Sequence, residues 1–211
     1  MPLDLRSLVA PAHTALVTQE CQRGVIGDLS ALPALADAAR GGMIANVAAL
    51  VDAARRAGVH VVHCTAERRP DGLGANANAR IFQYMARAKV ALHPGSSAAE
   101  LVPEIRVAES DLVLARLHGL SPFSGTGLDP ILRNLGVRTI VGVGVSVNVA
   151  IQNLAFDAVN AAYQVVIPRD AVAGFPREYA EAVFEHTLGA VATLTTTADV
   201  LAAWRAASER A

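Results

Sequence analysis

Short apolar runs alternate along this chain with longer stretches whose apolar residues recur at helical spacing, and this alternation restricts the fold more than any other feature. Residues 15–18 (ALVT) predict a first strand. Residues 43–57 (MIANVAALVDAARRA) carry apolar side chains on one helical face and Arg55 and Arg56 on the other, and Gly58 stops that helix. The β-branched run 59–64 (VHVVHC) predicts a second strand. Residues 65–97 are rich in Gly, Asn and charge and read as a long loop, which in a compact domain is usually functional or mobile. The pattern then resumes, with strands at 111–115, 139–145, 164–167 and 192–194 and helices at 128–135, 147–162, 177–188 and 198–207. The 139–145 run (TIVGVGV) is apolar on both faces, as the middle of a parallel sheet requires. Repetition of this kind predicts an α/β chain: a three-layer, Rossmann-like fold with a mainly parallel sheet flanked by helices on both faces. No linker, internal repeat or low-complexity tract interrupts it, so residues 1–211 are expected to form a single domain.

Composition removes several classes of function. Of the 211 residues 53% are hydrophobic, enough for a substantial core and against disorder. Lys plus Arg number 18 against 19 Asp plus Glu, so no concentrated positive field invites nucleic acid. Two cysteines, Cys21 and Cys64, make no disulfide framework. Residues 1–10 hold Asp4 and Arg6 and lack a continuous apolar core, so no signal peptide is expected. No window is expected to reach the roughly 20 apolar residues of a membrane-spanning helix. The expectation is a soluble, cytoplasmic protein with no nucleic-acid or membrane partner.

In parallel sheets of this type ligands bind outside the carboxyl ends of the strands. The sequence puts Glu20 and Gln22 after the first strand, and Cys64, Thr65, Glu67 and Arg68 at or after the second. Arg116, His118 and Ser121-Pro122-Phe123 follow the third, and Ser146, Asn148 and Ala150 the fourth. Each alone is an ordinary loop residue or helix cap; their convergence on one sheet edge points to a site. Glu20 carries most weight, because desolvation beside a buried strand suits a carboxyl to acid/base work. Arg116 either pairs with Glu20 or holds an anionic substrate, since guanidinium forks onto carboxylates. Cys64 has His63 next to it, but successive strand residues face opposite ways, so both thiols read as buried and inert. The six histidines have no tight ligand spacing, and HExxH and CxxC are absent, so no metal is expected. Val147 stands where a dinucleotide fingerprint after Gly142-x-Gly144 needs its third glycine, and there is no GxSxG. No cofactor is expected.

The segments ALVTQECQRGVIG, GVHVVHCTAERRPDG, HGLSPFSGT and GVRTIVGVGVSVNVAIQNLAFDAVNAAYQVVIPRDAVAG, in that order, resemble the isochorismatase-like hydrolase superfamily, also called the cysteine hydrolases. The resemblance runs from about residue 15 to residue 204 and is most specific over 136–174. It implies a Rossmann-like fold, often in homo-oligomers. It also implies a catalytic acid near the end of the first strand, a Lys after the third, and a Cys opening the helix after the fourth, preceded by a cis peptide bond. The acid position falls on Glu20, where most members have Asp. The Lys position falls near Arg116, one residue further from Ser121. Val145-Ser146 stands where the cis bond belongs. The Cys position falls on Ala150, which has no group to attack a carbonyl. Members that hydrolyse the vinyl ether of isochorismate resemble this chain in lacking that Cys.

The resemblance therefore implies acid-assisted hydrolysis of a small anionic vinyl-ether substrate, with Glu20 as acid and Arg116 holding the substrate. Gln22, Cys64, His118, Phe123, Val145 and Asn148 are expected around that substrate. Two alternatives stay open. One is a catalytically inactive binder of small molecules on the same fold. The other is an amidase-like hydrolase whose nucleophile has moved to Ser146 or Cys64.

Overall fold

In the computed structural model, which describes residues 4–208, the strands are β1 (Thr14–Gln19), β2 (His60–Ala66), β3 (Leu112–Arg116), β4 (Thr139–Val145), β5 (Gln164–Pro168), β6 (Val172–Ala173) and β7 (Thr193–Thr195). The helices are α1 (Leu5–Leu8), α2 (Arg23–Ile26), α3 (Pro33–Ala38), α4 (Ile44–Ala57), α5 (Arg80–Arg87), α6 (Leu128–Asn134), α7 (Ala150–Asn160), α8 (Arg177–Val183), α9 (Gly189–Val191) and α10 (Thr197–Ser208). The sheet runs β3-β2-β1-β4-β5-β7 with β6 beside β4, and every pairing between these strands is parallel.

Side-chain alternation along the strands sorts the core into two layers. Leu16, Val61, Val141, Val143 and Val166 point to one face, where α4 and α10 bring Val47, Leu50, Val200 and Trp204. Ala15, Val17, Val62, Ile140, Val165 and Ile167 point to the other, where α6, α7 and α8 bring Leu128, Leu132, Ile151, Leu154 and Val183. The sheet is thus buried on both sides, as parallel sheets require. Gly58 ends α4 in the left-handed region at φ 73°, its N–H bonded to the carbonyls of Ala54 and Arg55.

Several expectations need correction. The irregular segment 65–97 contains α5. The fourth-strand helix begins at Ala150 rather than 147, because the Val147 N–H bonds the Ala173 carbonyl of β6 (2.9 Å) before the helical ladder starts. The stretch Pro33–Ala57 is a run of 25 residues, two helices joined across a kink where Gly42 leaves helical backbone at φ 128°, and is by length and composition apolar enough to cross a membrane. Here it buries Val47, Leu50 and Val51 against the sheet and α10, the behaviour of a core helix.

One polar cluster lies inside the first layer. His63 is buried, with its Nδ1 2.8 Å from Thr18 Oγ1 and its Nε2 3.3 Å from Asp111 Oδ2. Arg55 Nε donates to Asp111 Oδ1 (3.1 Å). Burial alone would raise the Asp111 carboxyl, but hydrogen bonds from Arg55, the Ala108 amide and His63 outweigh it and hold the group below the ordinary carboxylate range. Burial lowers the His63 pKa from 6.5, against the upward pull of Asp111. Below about pH 6.5 the unfolded chain therefore binds a proton that the folded chain refuses. The His63 contribution is complete above that pH and is lost as pH falls toward the folded value. We expect the urea midpoint to drop between pH 7.5 and 5.5 more steeply for the native sequence than for His63→Gln. Equal slopes would contradict the assignment.

Candidate active site

Gln19 at the end of β1 lies opposite Gly144 near the end of β4, and from these neighbouring strands the chain leaves toward opposite sides of the sheet. That divergence opens a crevice at the strand ends, the place where such sheets bind ligands. Gly144 permits the close approach. At its φ of 108° a Cβ would stand 2.3 Å from the Gln19 carbonyl oxygen and 3.0 Å from Cys21 Sγ.

Glu20, the first residue beyond β1, holds φ 52°, a left-handed conformation uncommon outside glycine and costing on the order of 1 kcal/mol. The next strand fixes it, since the Glu20 N–H donates to the Cys64 carbonyl (2.9 Å). Its Oε1 accepts from Gln19 Nε2 (3.0 Å) and from Arg116 Nη2. Arg116 ends β3, two strand spacings from β1, roughly 10 Å. Its long side chain crosses that gap and is only 5% exposed, against 18% for the Glu20 side chain, so the pair is partly desolvated. Arg116 Nε also lies 3.5 Å from the Gly119 carbonyl, while its buried Nη1 has no hydrogen-bond partner among the described residues. Both hydrogen bonds to Glu20 fall on Oε1. Among the described residues no hydrogen bond falls on Oε2.

A cavity of about 170 Å³ opens beside this pair. Glu20, Arg116, His118, Ser146 and Ala150 line it. Ala150 is the buried first residue of α7, and the Val145-Ser146 bond just upstream is cis, as the resemblance implied. The strand-end rule thus brings together five of the ten residues picked from sequence.

The other five stand elsewhere. Gln22 is buried and cross-links backbone: its Nε2 donates to the carbonyls of Ala66 (2.9 Å) and Ala99 (3.1 Å), and its Oε1 accepts from the Ala66 N–H (2.9 Å). Phe123 packs on Tyr163 with ring centroids 5.9 Å apart. Val145 points into the α4 layer. Asn148 braces the segment before Pro176, donating to the Phe175 carbonyl (2.6 Å) and accepting from its N–H (3.1 Å). The Cys64 side chain is buried in the α7 layer, where desolvation pushes the thiol up to about 12, with Arg116 opposing and Glu20 adding. Burial does the same to Cys21, also about 12, with Glu20 adding. Neither thiol lines the cavity.

Sequence reasoning named Glu67 and Arg68 as strand-end residues but did not select them, and both line the cavity. Burial pushes the Glu67 carboxyl above its ordinary range. The apolar side chains of α5 were missed altogether, because eight helical residues inside a Gly- and Asn-rich stretch carry too little periodicity to register.

Comparison with known proteins gives a consistent set of relatives. The family profile described as the isochorismatase domain matches residues 14–199. The chain is 28% identical over 174 residues to the ureidoacrylate amidohydrolase RutB of Rhizobium rhizogenes, covering 76% of this chain and 70% of that protein. It is 33% identical over 103 residues to an uncharacterized isochorismatase family protein, YwoC, of Bacillus subtilis, covering 49% of this chain and 54% of the other. Among solved structures, a cysteine hydrolase from Pseudomonas syringae pv. phaseolicola shares the fold with TM-score 0.83 at 22% identity, over 95% of this chain and 96% of that one. N-carbamoylsarcosine amidase from Thermoplasma acidophilum matches with TM-score 0.70 at 26% identity, over 88% and 96%.

The thiol environments are directly measurable. In native protein at pH 8, Cys21 and Cys64 should react with a chromogenic disulfide reagent to less than about one tenth over an hour, and fully once unfolded. Rapid native labelling of either would contradict their placement.

Proposed function

The chain belongs to the isochorismatase domain family, and from that premise we propose that it is a hydrolase of a small anionic substrate that works without a thiol nucleophile, Glu20 carrying the proton that the reaction moves. The observation that carries this reading is the buried Glu20–Arg116 pair on the wall of a cavity also lined by Ala150 and Ser146 but by neither cysteine.

Hydrolysis of a vinyl ether suits a site built around one carboxyl. The Glu20 proton passes to the terminal carbon of the double bond, whose π electrons form the new C–H bond and leave an oxocarbenium ion. Arg116 stabilises the carboxylate left behind. Water bonds to the cationic carbon and returns a proton to Glu20. The resulting hemiketal expels an alcohol: its C–O bond breaks, the carbonyl forms, and the hydroxyl proton leaves on the alcohol. The net change is addition of one water.

The relatives named as ureidoacrylate amidohydrolase and N-carbamoylsarcosine amidase support a second reading, cleavage of a C–N bond. With Ala150 at the head of α7, the attacking group is then water or Ser146. Ser146 is favoured over Cys64 because it lines the cavity.

The test uses enol ethers of pyruvate, isochorismate and simple 2-alkoxyacrylates, with pyruvate release as the readout. Glu20→Gln should lower kcat by about 10²- to 10⁴-fold, and Ser146→Ala by less than about fivefold. Full activity in Glu20→Gln, or a comparable loss in Glu67→Gln alone, would remove Glu20 from the role. A ligand that raises Tm yet is recovered unchanged would favour the inactive binder.

A further inference from the structure

The polar groups of the cavity come from the segments that leave β1 to β4, among them Glu20, Arg116 and Ser146. Away from them the wall is largely hydrocarbon, with Leu32, Leu35 and Leu92 from the flanking segments and Ile81, Phe82 and Met85 from α5, and Asn76 before α5 as a polar exception. Helix α5 has eight residues and buries none of them fully. Yet Ile81, Phe82 and Met85 recur at i, i+1 and i+4, the spacing of an apolar helical face. Among the described residues these three belong to neither core layer, and they border the cavity. Polar tethers hold the segment instead, with Tyr84 Oη donating to the Ala31 carbonyl (3.2 Å) and the Gly119 N–H donating to Asn76 Oδ1 (2.8 Å). The cavity is therefore amphipathic, with one charged end at the sheet and an apolar body.

We infer that the substrate has the same division: an anionic reacting end at Glu20 and Arg116, and a hydrocarbon body seated against α5. A hydroxylated or charged group set against Ile81, Phe82 and Met85 would lose its water without a polar side chain of α5 to replace it, which costs affinity. A hydrocarbon body gains affinity from every methylene removed from water, about fourfold each. The inference rests on the hydrolase reading for the identity of the reacting end, but not for the seat itself.

The experiment separates the two. Saturated 2-alkoxypropanoates, which cannot be hydrolysed as enol ethers, are titrated into the full-length protein by calorimetry, with methyl, ethyl, propyl and butyl groups. Butyl should bind roughly 60-fold tighter than methyl, and Phe82→Ser or Met85→Ser should weaken butyl at least tenfold more than methyl. Affinity that is flat or falls with chain length would overturn the seat, as would variants that weaken all four compounds equally. In parallel, 2-alkoxyacrylates are assayed for pyruvate release. Chain-length-dependent binding without any release would sink the hydrolase reading and still support the seat.

Discussion

One buried ion pair organises the functional end of this molecule. Arg116, at the end of β3, reaches over β2 to Glu20 at the end of β1, and both are largely removed from solvent. Removing Glu20 would leave the buried Arg116 charge uncompensated, a larger penalty than the pair's net contribution to stability. The pair is best understood as a positioning device. It holds a carboxyl that already sits on a left-handed backbone, with both of its hydrogen bonds on one oxygen.

The fold makes that arrangement possible at low cost. The sheet puts β1 between β2 and β4, so three consecutive strand ends deliver Glu20, the Cys64 carbonyl and the Val145-Ser146 turn to one edge. Gly144 lets β4 approach β1 where any side chain would collide. The two apolar layers fix the sheet from both sides and take in cavity-wall residues such as Val25 and Leu92, while Ile81, Phe82 and Met85 of α5 belong to neither layer. Rigidity below and a looser wall above is the division expected where a ligand must enter.

Much of this was legible in the sequence, for identifiable reasons. The parallel sheet follows from β-branched runs separated by amphipathic helices, and the strand-end rule then converges Glu20, Arg116, His118, Ser146 and Ala150 without further information. What the sequence hid was direction and competition. Strand alternation did mark Cys64 as buried and inert, and its side chain enters the core instead of standing beside the substrate. Gln22 and Asn148 stand near the right edge but bond backbone amides and carbonyls instead of facing the cavity. Phe123 found an aromatic neighbour. The α5 wall was invisible because its apolar residues, read within Gly- and Asn-rich surroundings, resemble loop chemistry.

Chemical rescue bears most directly on the central claim, that a guanidinium held against Glu20 is what makes this carboxyl work. Arg116→Ala removes the guanidinium and leaves space beside Glu20. The account predicts that Arg116→Ala loses pyruvate release from enol ethers and that millimolar guanidinium restores at least about a tenth of it, with no restoration in Glu20→Gln. Full activity of Arg116→Ala without added cation, or equal stimulation of both variants, would contradict the account.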